Sequence, residues 1–507
     1  MQVIRDLWNR FFFTGETPEN LGLLRIWIGF GLLPFHALQF DFLMKLDPEG
    51  PAFHFLDPIW YFNVLGVHAV DVQAAIAVFW VLMLATVAFA LGLFTRTSLV
   101  IVLVSIMFLK GVRDSTAGDI HHRYLIPFNI LLLFLFSRCH QVYSIDAWWK
   151  RKRSITLSLA EWEASWPIKA AQLYVCSFYF WSAIAKLRMT GLEWASTERL
   201  QDLLLSRSVR NGFEAGGPST GSDLAYSIAK NELISGSLAQ STYLFELGFP
   251  LILLIRDVRV RLVFFAGITL FHVANFYLIN VQFLFLPVVF ALFFDLSQPL
   301  RKIGLIHGIE RAASTTTPQR NYTRALAVYW TILWIAVFFR IDRFPLSWAP
   351  MYSVWAPNPR DVYSVKHIEK GWLEEYGWRA THRDGSQSWI NRRDLNVRKS
   401  SMRRMYYRRT RGRGPPKEGH YNHDAGTFDR WLWGLAPGEP YYEVNWRRRL
   451  FESINKTFGH LPADLQFIVR LEAKGERFLF QRDTLEFVGT TGFSAEARWD
   501  EAWAVDF

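Results

Sequence analysis

The chain has 507 residues, 51% of them hydrophobic, 16% aromatic and only 20% charged, with a formal net charge of +11. A mean hydropathy of +0.10, with the apolar residues gathered into runs, excludes an ordinary soluble enzyme. The positive balance fits anionic lipid headgroups or an acidic partner, and the two cysteines, Cys139 and Cys176, support neither a disulfide framework nor a thiolate metal site.

Nine apolar runs approach the ~20 residues that cross a bilayer, at roughly 20–38, 73–94, 97–111, 123–138, 168–186, 240–256, 260–276, 279–295 and 323–340. They predict a polytopic α-helical membrane protein of about nine transmembrane helices, with the third and fourth runs short. The first run follows a tail carrying Arg5 and Arg10 and ends in Pro34 and His36 without a small-residue cleavage site, so it reads as a retained helix. Basic residues cluster in alternate loops: Arg96; Lys150 to Arg153; Arg256, Arg259 and Arg261; and Arg301, Lys302, Arg311 and Arg320. Those loops face the cytoplasm if the N-terminus does, and nine spans then put the C-terminal part outside. That topology argues against nucleic acid as the partner.

The segment 207–222, RSVRNGFEAGGPSTGS, reads as a Gly/Ser/Pro-rich outer loop. After about residue 341 the chain becomes polar, aromatic and strand-like. The boundaries expected are 1–340 for a helical membrane domain and 341–507 for a β-rich extracytoplasmic domain. GWRATHRDGSQSWI predicts a hairpin around Asp384-Gly385, and QFIVRLEAKGERFLFQRD a second around Lys474-Gly475. Between them RRDLNVRKSSMRRMYYRRTRGRGPP, from Arg392, is either a solvated or lipid-facing loop or a surface that recruits an acidic peptide. HYNHD at 420–424 holds possible metal ligands in a polar loop, and no metal site is assigned.

Ionisable residues within spans are costly and mark function by default. His121 and His122 open the fourth run in DIHHRYLIPF, Lys186 closes the fifth, Glu246 lies in the sixth in YLFELGFP, and His272 and Asn275 lie in the seventh in LFHVANFYL. The topology puts all six in the outer half of the bilayer. Arg25, in LGLLRIWIGF, falls nearer the cytoplasmic side. Each has a bland reading. Lys186 snorkels to the surface, His122 bonds backbone at a helix start, Glu246 pairs with a buried cation, and His272 is an interhelical hydrogen-bonder. The shared depth weighs against all of these holding together. Adjacent His121 and His122 point in different directions on a helix, so they make no bidentate metal pair.

Five segments in order resemble the vitamin K-dependent γ-glutamyl carboxylase and its bacterial relatives, the transmembrane HTTM family. They are LGLLRIWIGFGLL, HHRYL followed by YSIDAW, QLYVCSFYFWSAIAKL with GLEW, FHVAN, and SWAPMYS followed by HRDGSQSWINRRDLN. The resemblance covers most of the chain. It implies that Lys186 deprotonates a vitamin K hydroquinone and that His122 serves the later, carboxylating half of the cycle. Tyr179, Met351, His272 and Asn275 then belong to the quinone pocket. It implies O2 and CO2 as co-substrates. Oxygen adds to the deprotonated hydroquinone, a strongly basic alkoxide removes a γ-proton from glutamate, and the carbanion attacks CO2. The partner implied is a Glu-containing or acidic secreted peptide.

The base role needs a neutral amine, which the apolar wall YFWSAIA favours because desolvation penalises the ammonium. Glu246 would oppose this, so it is expected either to lie away from the amine or to be protonated. The chain departs from the animal enzyme in several places. Ala185-Lys186 stands for a lysine pair, His121 for an asparagine, the outer disulfide has no cysteines, and the C-terminal part is shorter. These departures leave room for a second function, a non-carboxylating maturation or export factor for a secreted peptide. A transporter ranks last, since no inverted repeat is present.

Overall fold

The computed structural model describes residues 2–45, 52–55, 59–67, 69–117, 124–155, 157–210, 213–214, 217–218, 224–279, 283, 285–306, 316–339, 344–346, 362–367, 378–382, 385–390, 468–481 and 484–498. Helix α1 (Gln2–Phe12) precedes α2 (Pro18–Phe40), which Thr17 caps by accepting from the Asn20 N–H at 3.2 Å, with Pro18 at the first helical position. A two-residue ladder of β1 (Phe53–His54) and β2 (Ala69–Val70) flanks α3 (Trp60–Val64). Helix α4 (Val72–Leu91) starts at the Asp71 cap and ends on Gly92 at φ 71°, where the left-handed conformation suits glycine. Then come α5 (Thr95–Ala117), α6 (Leu125–Phe136), α7 (Ile145–Lys152) and the long α8 (Glu161–Thr190).

A short 3-10 turn, Gly191–Ala195, leads from α8 into α9 (Thr197–Arg210). The strand pair β3 (Phe213–Glu214) and β4 (Gly217–Pro218) follows, then α10 (Leu224–Lys230) and α11 (Glu232–Gly248). The helical part closes with α12 (Val258–Ile279), α13 (Leu286–Phe290), α14 (Ser297–Lys302) and α15 (Thr316–Phe338).

Helices α2, α4, α5, α6 and α8 share one apolar core. Close approach of α2 to α4 depends on Gly29, where a Cβ would lie 2.6 Å from the Cβ of Ala90. Asn129 joins three helices: its Nδ2 donates to the Leu125 carbonyl on α6 and to the Tyr174 hydroxyl on α8, both at 2.9 Å, and its Oδ1 accepts from Tyr329 on α15 at 3.1 Å. Arg25, fully buried on α2, donates to the carbonyls of Cys139 at 2.7 Å, Val142 at 2.9 Å, Tyr143 at 2.6 Å and Ala90 at 3.4 Å. The loop between α6 and α7 is thereby wrapped around its guanidinium. Asp146 at the start of α7 accepts from the Phe94 and Thr95 N–H groups at 2.8 Å, which ties α7 to the turn between α4 and α5.

Among the described residues, four helices are long and apolar enough to cross a membrane, at Pro18–Phe40, Val72–Leu91, Thr95–Ser115 and Val258–Leu278. The chain is read accordingly as an integral membrane protein, and the expected count of about nine is not reached on length and composition. Helix α6 has 12 residues, about 18 Å against the ~30 Å of a hydrocarbon layer. The sixth run tightens into a 3-10 turn at Phe249–Leu253 around Pro250, and the described residues of the eighth include the five-residue α13 and a further 3-10 turn. The run 168–186 lies within α8 and that at 323–340 reaches to the end of α15, and both helices begin with a polar turn.

Among the described residues beyond 341, five strands make one antiparallel sheet: β5 (Val362–His367), β6 (Trp378–His382), β7 (Gln387–Ile390), β8 (Ile468–Gln481) and β9 (Phe487–Arg498). β8 is its spine. β9 pairs along one edge, while β5 and β6 share the other end to end. The β6–β7 hairpin falls where it is expected, with Gly385 at φ 82°. The second does not turn at Lys474-Gly475. Both residues continue β8, with Gly475 opposite Phe493, and the reversal comes at Leu485, whose φ is 53°. A glycine flanked by alternating residues is equally compatible with a strand interior. The sheet rests on α9 and α10. Phe480 and Leu485 are buried with Leu204, Leu205, Ala225 and Ala229, and the Tyr226 hydroxyl donates to the Leu485 carbonyl at 2.9 Å.

Candidate functional site

Helix α8 carries the site. Its start is set by Glu163, whose Oε2 accepts from the Ala160 N–H at 2.9 Å. Tyr179 and Lys186 lie seven residues apart on it, about two turns, and so share a face. That face meets α11, the 3-10 turn at Phe249–Leu253, and α12.

The Lys186 side chain does not snorkel. The residue is 3% exposed, and its Nζ donates to both carboxylate oxygens of Glu246, itself 8% exposed. The face of Trp194 lies 4.3 Å from the same nitrogen. Glu246 therefore sits on the amine, and the expectation that it lies away is corrected. What remains of that expectation is a protonated Glu246. A buried pair of this kind holds one proton between nitrogen and oxygen, and either placement leaves it neutral overall.

Two turns along, the Tyr179 hydroxyl meets His272 Nε2 at 2.6 Å. The tyrosine ring stacks on Phe249 with centroids 4.0 Å apart and planes at 6°. His272 is buried between Phe271 and Phe283, and its Nδ1 has no hydrogen-bond partner among the described residues. Asn275, three residues further along α12, is half-buried. The arrangement is a seam of two hydrogen-bonded pairs, Lys186–Glu246 and Tyr179–His272, walled by aromatic rings. Its polar atoms include a buried amine and a buried imidazole nitrogen. Trp334 of α15 packs edge-on against Trp181 at 4.8 Å and lines an open apolar groove of about 520 Å3 with Trp8, Trp330, Ile335, Phe338 and Phe339.

His121, His122, Met351, the basic run from Arg392 and HYNHD lie outside the described residues. Leading up to the two histidines in sequence is a buried polar cluster absent from the sequence reading. On α5, Lys110 pairs with Asp114 and lies 4.7 Å from the Phe344 ring, while Arg113 donates to the Gln39 carbonyl at 3.1 Å and to its side-chain oxygen. His36 Nδ1 lies 3.1 Å from the Tyr124 hydroxyl beside it. The signal was present in LKGVRDS, where charges three and four residues apart share one helix face, but it lies at and beyond the end of the apolar run. Trp194 was missed as well, since GLEW leaves the helix and no periodicity assigns its ring to Lys186.

The HTTM domain model matches residues 13–297, more than half of the chain and all of the elements that build the seam. Comparison with curated proteins and with solved structures returns no match.

Proposed function

This chain belongs to the HTTM family, and on that premise we propose that it is an integral membrane enzyme of the vitamin K-dependent γ-glutamyl carboxylase type. The observation that carries the reading is the buried Lys186 amine, held in an aromatic-walled seam in contact with Glu246. A reduced vitamin K, or a related membrane quinol, supplies the reducing equivalents and the strong base when bound with O2. Tyr179, Phe249 and His272 suit its ring by stacking surface and hydrogen-bonding atoms. Lys186 is the group that takes the first proton, and general-base catalysis needs that amine free to accept it. The buried seam keeps water from the strongly basic species that follow. His122 serves carboxylation, and Met351 and Asn275 complete the quinone pocket. In this reading the shorter apolar helices join the four long ones in a nine-span domain with a cytoplasmic N-terminus. The C-terminal sheet is extracytoplasmic, where it meets a Glu-containing or acidic secreted peptide.

The test is direct. Purified protein in lipid, given reduced vitamin K, O2, labelled bicarbonate and a short Glu-containing peptide, is expected to label the peptide and release vitamin K epoxide. Lys186→Ala is expected to abolish both. Normal epoxidation by a folded Lys186→Ala protein would remove Lys186 as the base. Epoxide without label indicates a quinol oxidase that has lost carboxylation. Neither product would leave the non-carboxylating maturation or export factor as the better reading.

A further inference from the structure

We infer that Glu246 is the proton store of the Lys186 site: it holds one proton on its carboxyl while the amine receives another from the substrate. The inference rests on the quinol reading above. Three features support it. Both Glu246 oxygens face the Lys186 nitrogen, so an N–H already points along the path of transfer. The pair is buried, with residue exposures of 3% and 8%, so bulk water is not at hand as an acceptor. The Trp194 face, 4.3 Å from the nitrogen, stabilises an ammonium once it forms.

With the pair as ammonium and carboxylate, one N–H bond of Lys186 breaks and an O–H bond forms on Glu246, leaving a neutral amine. That amine takes the proton of a quinol hydroxyl, breaking O–H and forming N–H. The pair ends as ammonium and carboxylic acid, one positive charge against the one negative charge left on the quinol oxygen. If the pair rests as amine and acid, only the second transfer is needed and the end state is the same. No oxidant is consumed.

Isotope-edited infrared spectroscopy tests this without turnover. Protein in lipid, under anaerobic conditions and saturated with vitamin K hydroquinone, is expected to show the carbonyl stretch of a buried carboxylic acid. The band should shift on 13C-glutamate labelling, move again in Glu246→Asp and vanish in Glu246→Gln. Ultraviolet absorbance of the same sample reports whether the quinol is ionised. Ionised quinol with no glutamic acid band, or with an unchanged band in Glu246→Gln, overturns the store and leaves the quinol reading intact. A quinol that stays un-ionised at saturation overturns both. Glu246→Asp, which keeps a carboxyl group, carries the assignment if Glu246→Gln fails to fold.

Discussion

Arg25 and Lys186 both sit in apolar helices, yet their surroundings give them different work. Arg25 spends its donors on the carbonyls of Ala90, Cys139, Val142 and Tyr143, a set of backbone oxygens that would otherwise be buried without partners. Arg25→Met is expected to cost on the order of 3 kcal/mol, the penalty for stranding buried acceptors, read as a lowered thermal midpoint in detergent. Arg25→Lys should recover only part of it, because one ammonium cannot span carbonyls that a planar fork reaches at once. Lys186 has the Glu246 carboxyl group and the Trp194 ring in place of carbonyls. Sequence periodicity left these two cations alike. The inferred topology separated them by depth, but the partner of each is set by long-range packing that no local pattern encodes. Glu246 lies 60 residues from Lys186, and the Arg25 acceptors up to 118 residues away.

Helix identity was legible wherever an apolar run was long and ended in a clear cap, as at Asp71 and Gly92 around α4. The sixth run reads as one span in the sequence but folds as a helix plus a 3-10 turn at Pro250, which lacks a backbone donor, whereas Pro34 stays within a continuous α2. The contact of α2 with α4 yields a prediction at this scale. Gly29→Val would bring its Cβ within 2.6 Å of the Cβ of Ala90, so the helices must part. The expected cost is about 1–3 kcal/mol, typical of overpacking, and Ala90→Gly should recover little of it, because the new Cβ would still lie 2.8 Å from the Cα of residue 90. Unchanged melting of the single variant would mean that α2 and α4 do not approach this closely.

In the molecule as a whole, few of the described side chains join the sheet to the helices. Phe480, fully buried, and Leu485 are the apolar contacts that the β8–β9 turn makes with α9 and α10. Phe480→Ala removes the larger of the two, with an expected loss of about 3–5 kcal/mol for a buried aromatic. If that loss is confined to the docking, limited proteolysis should cut near the sheet while the helical part stays intact. The strands were visible in the sequence as alternation, but the seating of the sheet was not. Tyr226 and Leu485, joined by one hydrogen bond, are separated by 259 residues.

The loop gathered around Arg25 also orders events in time. Helix α2 emerges from the ribosome long before residues 139–143, whose carbonyls accept the shortest hydrogen bonds of its guanidinium. Until they arrive, an arginine in an apolar helix opposes insertion by up to about 2.5–3.5 kcal/mol at mid-helix, and less near an end. Nascent chains halted before residue 139 should therefore hold α2 in the membrane loosely, and chains halted beyond α7 should hold it firmly. Alkaline extraction of the two sets, with Arg25→Leu as the chain that inserts early regardless, measures the difference. Equal retention at both lengths would show that α2 settles without waiting for the rest of its scaffold.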